Sequence, residues 1–113
     1  FWNGRYKATG VRNRSTAGAV VTNNIFAGAP VLALDGPGTL ATNLRRAETG
    51  LKDPRGLDFS LLPASAAIDA GTELASVDPR LPVPLLEYVH PLAGRERLGV
   101  WTPDLGAYEF CGE

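Results

Sequence analysis

Two runs of the chain share one hydrophobic and polar pattern. Val20-Val21-Thr22-Asn23-Asn24-Ile25-Phe26 sets apolar residues on either side of a Thr-Asn pair, and Leu40-Ala41-Thr42-Asn43-Leu44 repeats it twenty positions further on. A period of this size suits a solenoid in which each repeat is one coil of two or three short strands, each paired in parallel with the next coil at ~4.8 Å. Between the copies, Val31-Leu32-Ala33-Leu34 predicts a further strand and Asp35-Gly36-Pro37-Gly38 the turn that ends it. Asn23 and Asn43 are then expected at equivalent corners of neighbouring coils, with Cα atoms ~5 Å apart. Asparagine tolerates the left-handed backbone of a sharp corner, and its amide can bond the residue one coil away. That structural role is favoured over ligand contact.

From Arg45 the pattern gives way to a polar stretch that closes in the turn Asp53-Pro54-Arg55-Gly56. Asp58-Phe59-Ser60-Leu61 predicts a strand, and Ser65-Ala66-Ala67-Ile68-Asp69-Ala70-Gly71 a small-residue element in which backbones approach closely. Five of the nine prolines fall between 79 and 103, which predicts an extended loop because proline lacks the donor a central strand needs. Leu81, Val83, Leu85, Leu86, Tyr88 and Val89 make that loop a lid over the end of the solenoid. In the last strand, Tyr108 and Phe110 are expected to pack inward and Glu109 to point outward toward Arg95 or Arg97. The organisation read from the pattern is an N-terminal edge or incomplete coil at 1–19, β-helix coils at 20–71, and a cap loop with final strand at 72–113.

The order of three motifs carries a resemblance. Leu62-Pro63-Ala64-Ser65-Ala66-Ala67-Ile68-Asp69-Ala70-Gly71 is followed by Gly94-Arg95 and then by Asp104-Leu105-Gly106-Ala107-Tyr108-Glu109-Phe110, while Asn23-Asn24-Ile25-Phe26 matches a run common in coils. This resembles the closing segment of right-handed parallel β-helix proteins of the pectate-lyase-like superfamily, over roughly residues 20 to 110. The resemblance implies an all-β fold: the last coils and irregular C-terminal cap of a secreted or cell-surface protein that binds or processes polysaccharide. In similar enzymes the catalytic Lys, Arg or Asp residues lie on middle coils, outside this segment. The chain is therefore expected to be non-catalytic. The alternatives are a polysaccharide lyase or glycoside hydrolase whose groove reaches the basic N-terminal residues, and a structural adhesin or stalk module.

Composition and charge narrow this further. A chain of 113 residues is one domain at most and buries about two-thirds of its unfolded surface. Its 44% hydrophobic and 20% charged residues argue against disorder. No apolar run approaches the ~20 residues that span a bilayer. The absence of Met and the start at Phe1 lead to the expectation of a processed or truncated piece of something longer. The net charge of −1 conceals eight Lys/Arg against three acids in residues 1–56, and three Arg against nine acids in 57–113. Mutual attraction of the halves is the simpler expectation. The sharper one is that the basic half faces an anionic polysaccharide, with Trp2, Arg5, Tyr6, Lys7, Arg12 and Arg14 as candidate contacts.

No recognition motif supports nucleic acid as a partner. The single Cys111 gives neither an internal disulfide nor a thiolate metal site, and His90, the only histidine, has no second ligand at metal spacing, so no cofactor or metal is expected. Asp69, Asp78, Asp104 and Glu109 are numerous enough for a glycosidase carboxylate pair. Asp69 and Asp104 fall inside the two closing motifs, however, where bonding backbone amides at turns is favoured. Val20, Val21, Ile25 and Phe26, in the first recognisable coil, are expected nearest an open N-terminal face covered by upstream coils, a partner subunit or a second copy.

Overall fold

The computed structural model describes residues 2–3, 7–28, 31–89, 91–97 and 102–112, and it is all-β, built from short strands in small sheets. Seven strands run through the first part of the chain: β1 (Trp2–Asn3), β2 (Ala8–Arg12), β3 (Ala19–Thr22), β4 (Ile25–Gly28), β5 (Val31–Asp35), β6 (Gly38–Ala41) and β7 (Leu44–Arg46). They pair only in parallel: β1 with β4 and β4 with β7 in one sheet, β2 with β5 in a second, β3 with β6 in a third. Residues 1–19 thus contribute β1 and β2 to the same pairings. The later strands pair antiparallel: β8 (Leu51–Asp53) with β9 (Asp58–Leu61), and β10 (Leu86–Val89) with β11 (Ala93–Glu96). The one α-helix among the described residues, α1 (Leu74–Val77), is a single turn, and Pro54–Gly56 form a 3-10 turn.

The corner register differs by one position from the sequence repeat. Thr22 pairs with Ala41 and Ile25 with Leu44, so the step from β3–β4 to β6–β7 is nineteen residues, and Asn23 corresponds to Thr42 rather than to Asn43. Asn23 (φ 57°) and Thr42 (φ 54°) both hold the left-handed backbone of the bend, and the Asn23 amide donates to the Thr42 carbonyl at 3.0 Å. The asparagine ladder exists one residue later. Asn43 Oδ1 accepts from the Asn24 backbone N–H (3.0 Å) and Asn24 Nδ2 (3.1 Å), while Asn43 Nδ2 donates to the carbonyls of Val21 (2.7 Å) and Ala41 (3.1 Å). The repeated Thr-Asn letters mislead because the conformational match pairs an asparagine with a threonine.

Strand β4 is buried on both faces, which places the core. Ile25 and Ala27 pack with Leu61, Ala67 and Leu105, backed by Leu44, Leu51, Ile68, Ala70 and Phe110. Phe26, on the opposite face, packs with Val21 and Ala33, backed by Val11 and Leu34. Gly10 is required there, because a Cβ would come within 2.3 Å of the Phe26 ring. Val21, Ile25 and Phe26, expected near an open face, are buried against β2, β5 and the C-terminal segments, and Val20 is exposed.

The expected lid takes another form. Residues 86–96 make the β10–β11 hairpin, with Pro91 in its turn, where no ladder donor is needed. Leu81, Val83, Leu85, Leu86 and Tyr88 are exposed and lie outside the two buried clusters, although Val83 helps wall a cavity that Thr22 and Asn23 also line. Cover comes instead from Leu105, Phe110 and the Ala67–Ala70 element against β4.

Candidate functional site

A cleft of about 1060 Å3 opens across the start of the chain and the end of the parallel strands. Lys7, Thr9 and Arg12 line it from β2 and the residue before it, Phe26, Gly28 and Leu32 from β4 and β5, and Arg45, Arg46 and Ala47 from β7 and its exit. Backbone pairing sets this grouping. Trp2 lies beside Ala27 and Ala27 beside Arg46, so three tiers of chain stand next to one another, and Thr9 lies beside Leu32 in the adjoining sheet. The Phe26 side chain forms part of the wall while remaining 3% exposed, and Leu32 is half exposed.

The lining is basic. Lys7, Arg12, Arg45 and Arg46 are all exposed, and no acidic side chain is among the described lining residues. Arg12 Nε donates to Asp35 Oδ2 at 3.0 Å, and both side chains are about half exposed, so this pair contributes ~1 kcal/mol at most and leaves the rest of the guanidinium open.

Of the residues expected to contact ligand, Lys7 and Arg12 are brought together here. Arg14 is exposed but is not part of the cleft. Arg5 and Tyr6 lie outside the described residues, and Trp2 is described only by its place in β1. Arg45 and Arg46 were missed. The available signal was the repeat itself: carried past Asn43, its twenty-residue spacing sets Arg45-Arg46 on Ile25-Phe26, one position off the observed pairing with Phe26-Ala27 but already beside β4.

Ion pairs form both within and between the basic and acidic halves: Arg12–Asp35 lies within the first, Arg80–Asp78, Arg95–Glu87 and Arg97–Glu109 within the second, and Lys52–Asp58, between neighbouring strands, joins the two.

The C-terminal carboxylates build structure instead. Glu87, Asp104 and Glu109 are buried, and every oxygen of the three accepts a bond. Asp104 takes the backbone N–H groups of Asp69 (2.6 Å) and Phe110 (2.5 Å), as expected of a turn aspartate. Glu109 takes the Asp104 N–H (3.0 Å) and Arg97 Nε (2.6 Å), and Glu87 takes the Glu109 N–H (2.6 Å) and Arg95 Nε (2.8 Å). Glu109 therefore points inward rather than outward, because this turn leaves buried N–H groups that need an acceptor. Its partner is Arg97, as the sequence suggested. Bonding to Glu87 holds the Arg95 guanidinium pKa above its ordinary value. Asp69 itself is exposed in the left-handed conformation (φ 51°), with its amide, not its carboxylate, in the network.

A second cavity of about 370 Å3 lies beside this clasp, walled by Leu74, Val83, Pro84 and Pro103 with Asp104, Glu109 and Arg97 at its edge. Arg97, Glu109 and Asp104 are engaged with one another there, while the buried Thr22 Oγ1 on the same cavity has no hydrogen-bond partner among the described residues. His90 falls outside the described residues, and among those described no three His, Cys, Asp or Glu side chains are placed to hold a metal ion. No helix among them is long and apolar enough to cross a membrane. Comparison with known proteins finds no matching family model, curated protein or solved structure.

Proposed function

We propose that this chain is the closing part of a secreted or cell-surface parallel β-helix protein of the pectate-lyase-like kind, and that its basic cleft holds an anionic polysaccharide without performing chemistry on it. The observation that carries the binding half is the convergence of Lys7, Arg12, Arg45 and Arg46 on one open cleft with no acid among its described lining. Clefts lined by one sign of charge raise the local concentration of an oppositely charged ligand. Support for the fold half comes from the four parallel pairings, each joining segments nineteen to twenty-five positions apart in the same chain order. A right-handed helix of such turns accounts for all four with one topology.

The test is binding of alginate, pectate and a glycosaminoglycan at low and at physiological ionic strength, where screening acts over ~8 Å. Lys7→Ala with Arg46→Ala is expected to weaken binding severalfold, and Arg14→Ala, outside the cleft, to leave it unchanged. Absence of binding at low salt, or equal loss from Arg14→Ala, overturns the assignment of the site.

A further inference from the structure

The second cavity shares no lining residue with the basic cleft, so what it holds does not depend on the reading of that cleft. The end of β3, the start of α1, the proline-rich stretch before β10 and the closing motif converge on it. At about 370 Å3 it lies at the small end of the ~300–1,000 Å3 range of small-molecule sites, and it is many times the ~30 Å3 share of one water. Thr22 lines it, and the buried Thr22 Oγ1 has no hydrogen-bond partner among the described residues. Folded chains rarely leave a buried hydroxyl unpaired, so this one marks a place where a further polar atom belongs.

The remaining lining offers donors, acceptors and an apolar wall together. Arg97, whose side chain is 10% exposed, gives its Nε and Nη2 to Glu109 Oε1 and one Nη1 hydrogen to the Ala107 carbonyl. Two of its five N–H groups are then left without a partner among the described residues. Asp104 Oδ1, Asp104 Oδ2 and Glu109 Oε2 each accept a single backbone N–H, so each keeps a lone pair. Leu74, Val83, Pro84 and Pro103 supply the apolar surface. One arginine stands against Glu73, Asp104 and Glu109, so the lining is net negative and disfavours an anion. A ring that carries hydroxyls on its edge and C–H groups on its face answers all of this, because each hydroxyl both donates and accepts. We propose that this cavity binds one neutral sugar ring, free or as the end unit of a glycan, whose hydroxyls satisfy Thr22 Oγ1 and the open Arg97 N–H groups while its C–H face covers the prolines.

The experiment titrates glucose, galactose, mannose, their neutral disaccharides and glucuronate into the full chain and reads the NMR shifts of the Thr22 and Gly106 amides. At least one neutral hexose is expected to bind with a Kd on the order of 1 mM, and glucuronate about tenfold more weakly or not at all. A disaccharide that binds as tightly as its end unit identifies a glycan end as the ligand, and one that fails to bind identifies the free sugar. Thr22→Val removes the hydroxyl at nearly the same volume, so it is expected to weaken binding about fivefold while the melting temperature stays at or above that of the parent. Val83→Trp, at an exposed position, fills the cavity from its edge and is expected to abolish binding. If no hexose binds, water alone occupies the cavity and the proposal is overturned. Glucuronate binding as tightly as the hexoses, or hexose binding that either variant leaves unchanged, overturns it as well. So does a Thr22→Val protein that melts well below the parent, because its hydroxyl was then already paired.

Discussion

Replacing Asp104 by Asn tests whether the C-terminal clasp is held by carboxylate acceptors. The side chain is 3% exposed, and its two oxygens take the Asp69 and Phe110 amides at 2.6 and 2.5 Å. Asparagine keeps the size but has one acceptor oxygen; its NH2 group would face an amide N–H, leaving two donors opposed in a dry site. A hydrogen bond to a charged group contributes ~1.5–3 kcal/mol, and a buried donor left unsatisfied costs ~1–3 kcal/mol. Because the two figures overlap, the expected loss is about 3 kcal/mol, a large part of the ~5–15 kcal/mol that holds a domain of this size together. Urea unfolding should show it as a lower midpoint at unchanged slope. Hydrogen exchange should accelerate at the Asp69 and Phe110 amides. The same change at Asp69, exposed at φ 51°, is the internal control: asparagine is at home in the left-handed region, so Asp69→Asn should shift stability by less than ~0.5 kcal/mol. A loss below ~1 kcal/mol for Asp104→Asn, or equal losses at the two sites, refutes the reasoning.

Asn43→Ala should cost about 2 kcal/mol in the same assay, since one side chain accepts from Asn24 and donates to the Val21 and Ala41 carbonyls, part-buried. Asn23→Ala should be comparably harmful, because Asn23 combines a left-handed backbone with a paired contact to Thr72 through Oδ1 and Nδ2. Gly50→Ala should cost about 2–4 kcal/mol, as φ is +73° and a Cβ would sit 2.7 Å from the Ser65 Cα and Cβ; a melting temperature within a few degrees of the parent would contradict it. The Asp58 carboxyl is held below its ordinary 3.8, chiefly by the Ser60 hydroxyl and next by the Ser60 amide, so its contribution is present above that value and lost as pH falls through the lower folded one. Being exposed, it should amount to less than ~1 kcal/mol, and a pH titration of stability should show Asp58→Asn differing from the parent at neutral pH but not in strong acid.

Much of the parallel half was legible because apolar strand and polar corner follow each other at short, nearly regular intervals. The register was not, since the repeated letters Thr-Asn lie twenty apart while the repeated backbone conformation lies nineteen apart, at Asn23 and Thr42. A β-branched residue in the left-handed region is disfavoured enough that no local rule would choose it. The hairpin at 86–96 was hidden by the surrounding prolines, although only Pro91 falls inside it and occupies the turn. Glu109 was placed outward by the alternation of a strand. Its actual position follows from the buried Asp104 amide five residues earlier and the Arg97 guanidinium twelve residues earlier, a demand of the folded turn that strand periodicity does not carry. In the cleft, Lys7 and Arg12 were found from local charge, whereas Arg45 and Arg46 join them only through the parallel register.

Strand β4 links the two halves energetically. Its Ile25 and Ala27 face the C-terminal elements, and its Phe26 faces β2, β3 and β5, so the two apolar clusters take opposite faces of one strand as a wall. Removing the C-terminal cover exposes Ile25, Ala27 and Leu44, and the strand that then loosens is also the one on which β1 and β7 pair. Arg45 and Arg46 of the cleft stand on β7, which pairs with β4, and Phe26 of β4 lines the cleft itself; their placement therefore follows a strand whose burial depends on Leu61, Ala67 and Leu105, far along the chain. A buried Leu→Ala change removes ~2–5 kcal/mol. Leu105→Ala, which touches no cleft residue, should accordingly lower stability by that amount and weaken polysaccharide binding only under conditions where unfolding is already detectable. Weakened binding by a fully folded Leu105→Ala protein would mean instead that the clasp tunes the cleft directly.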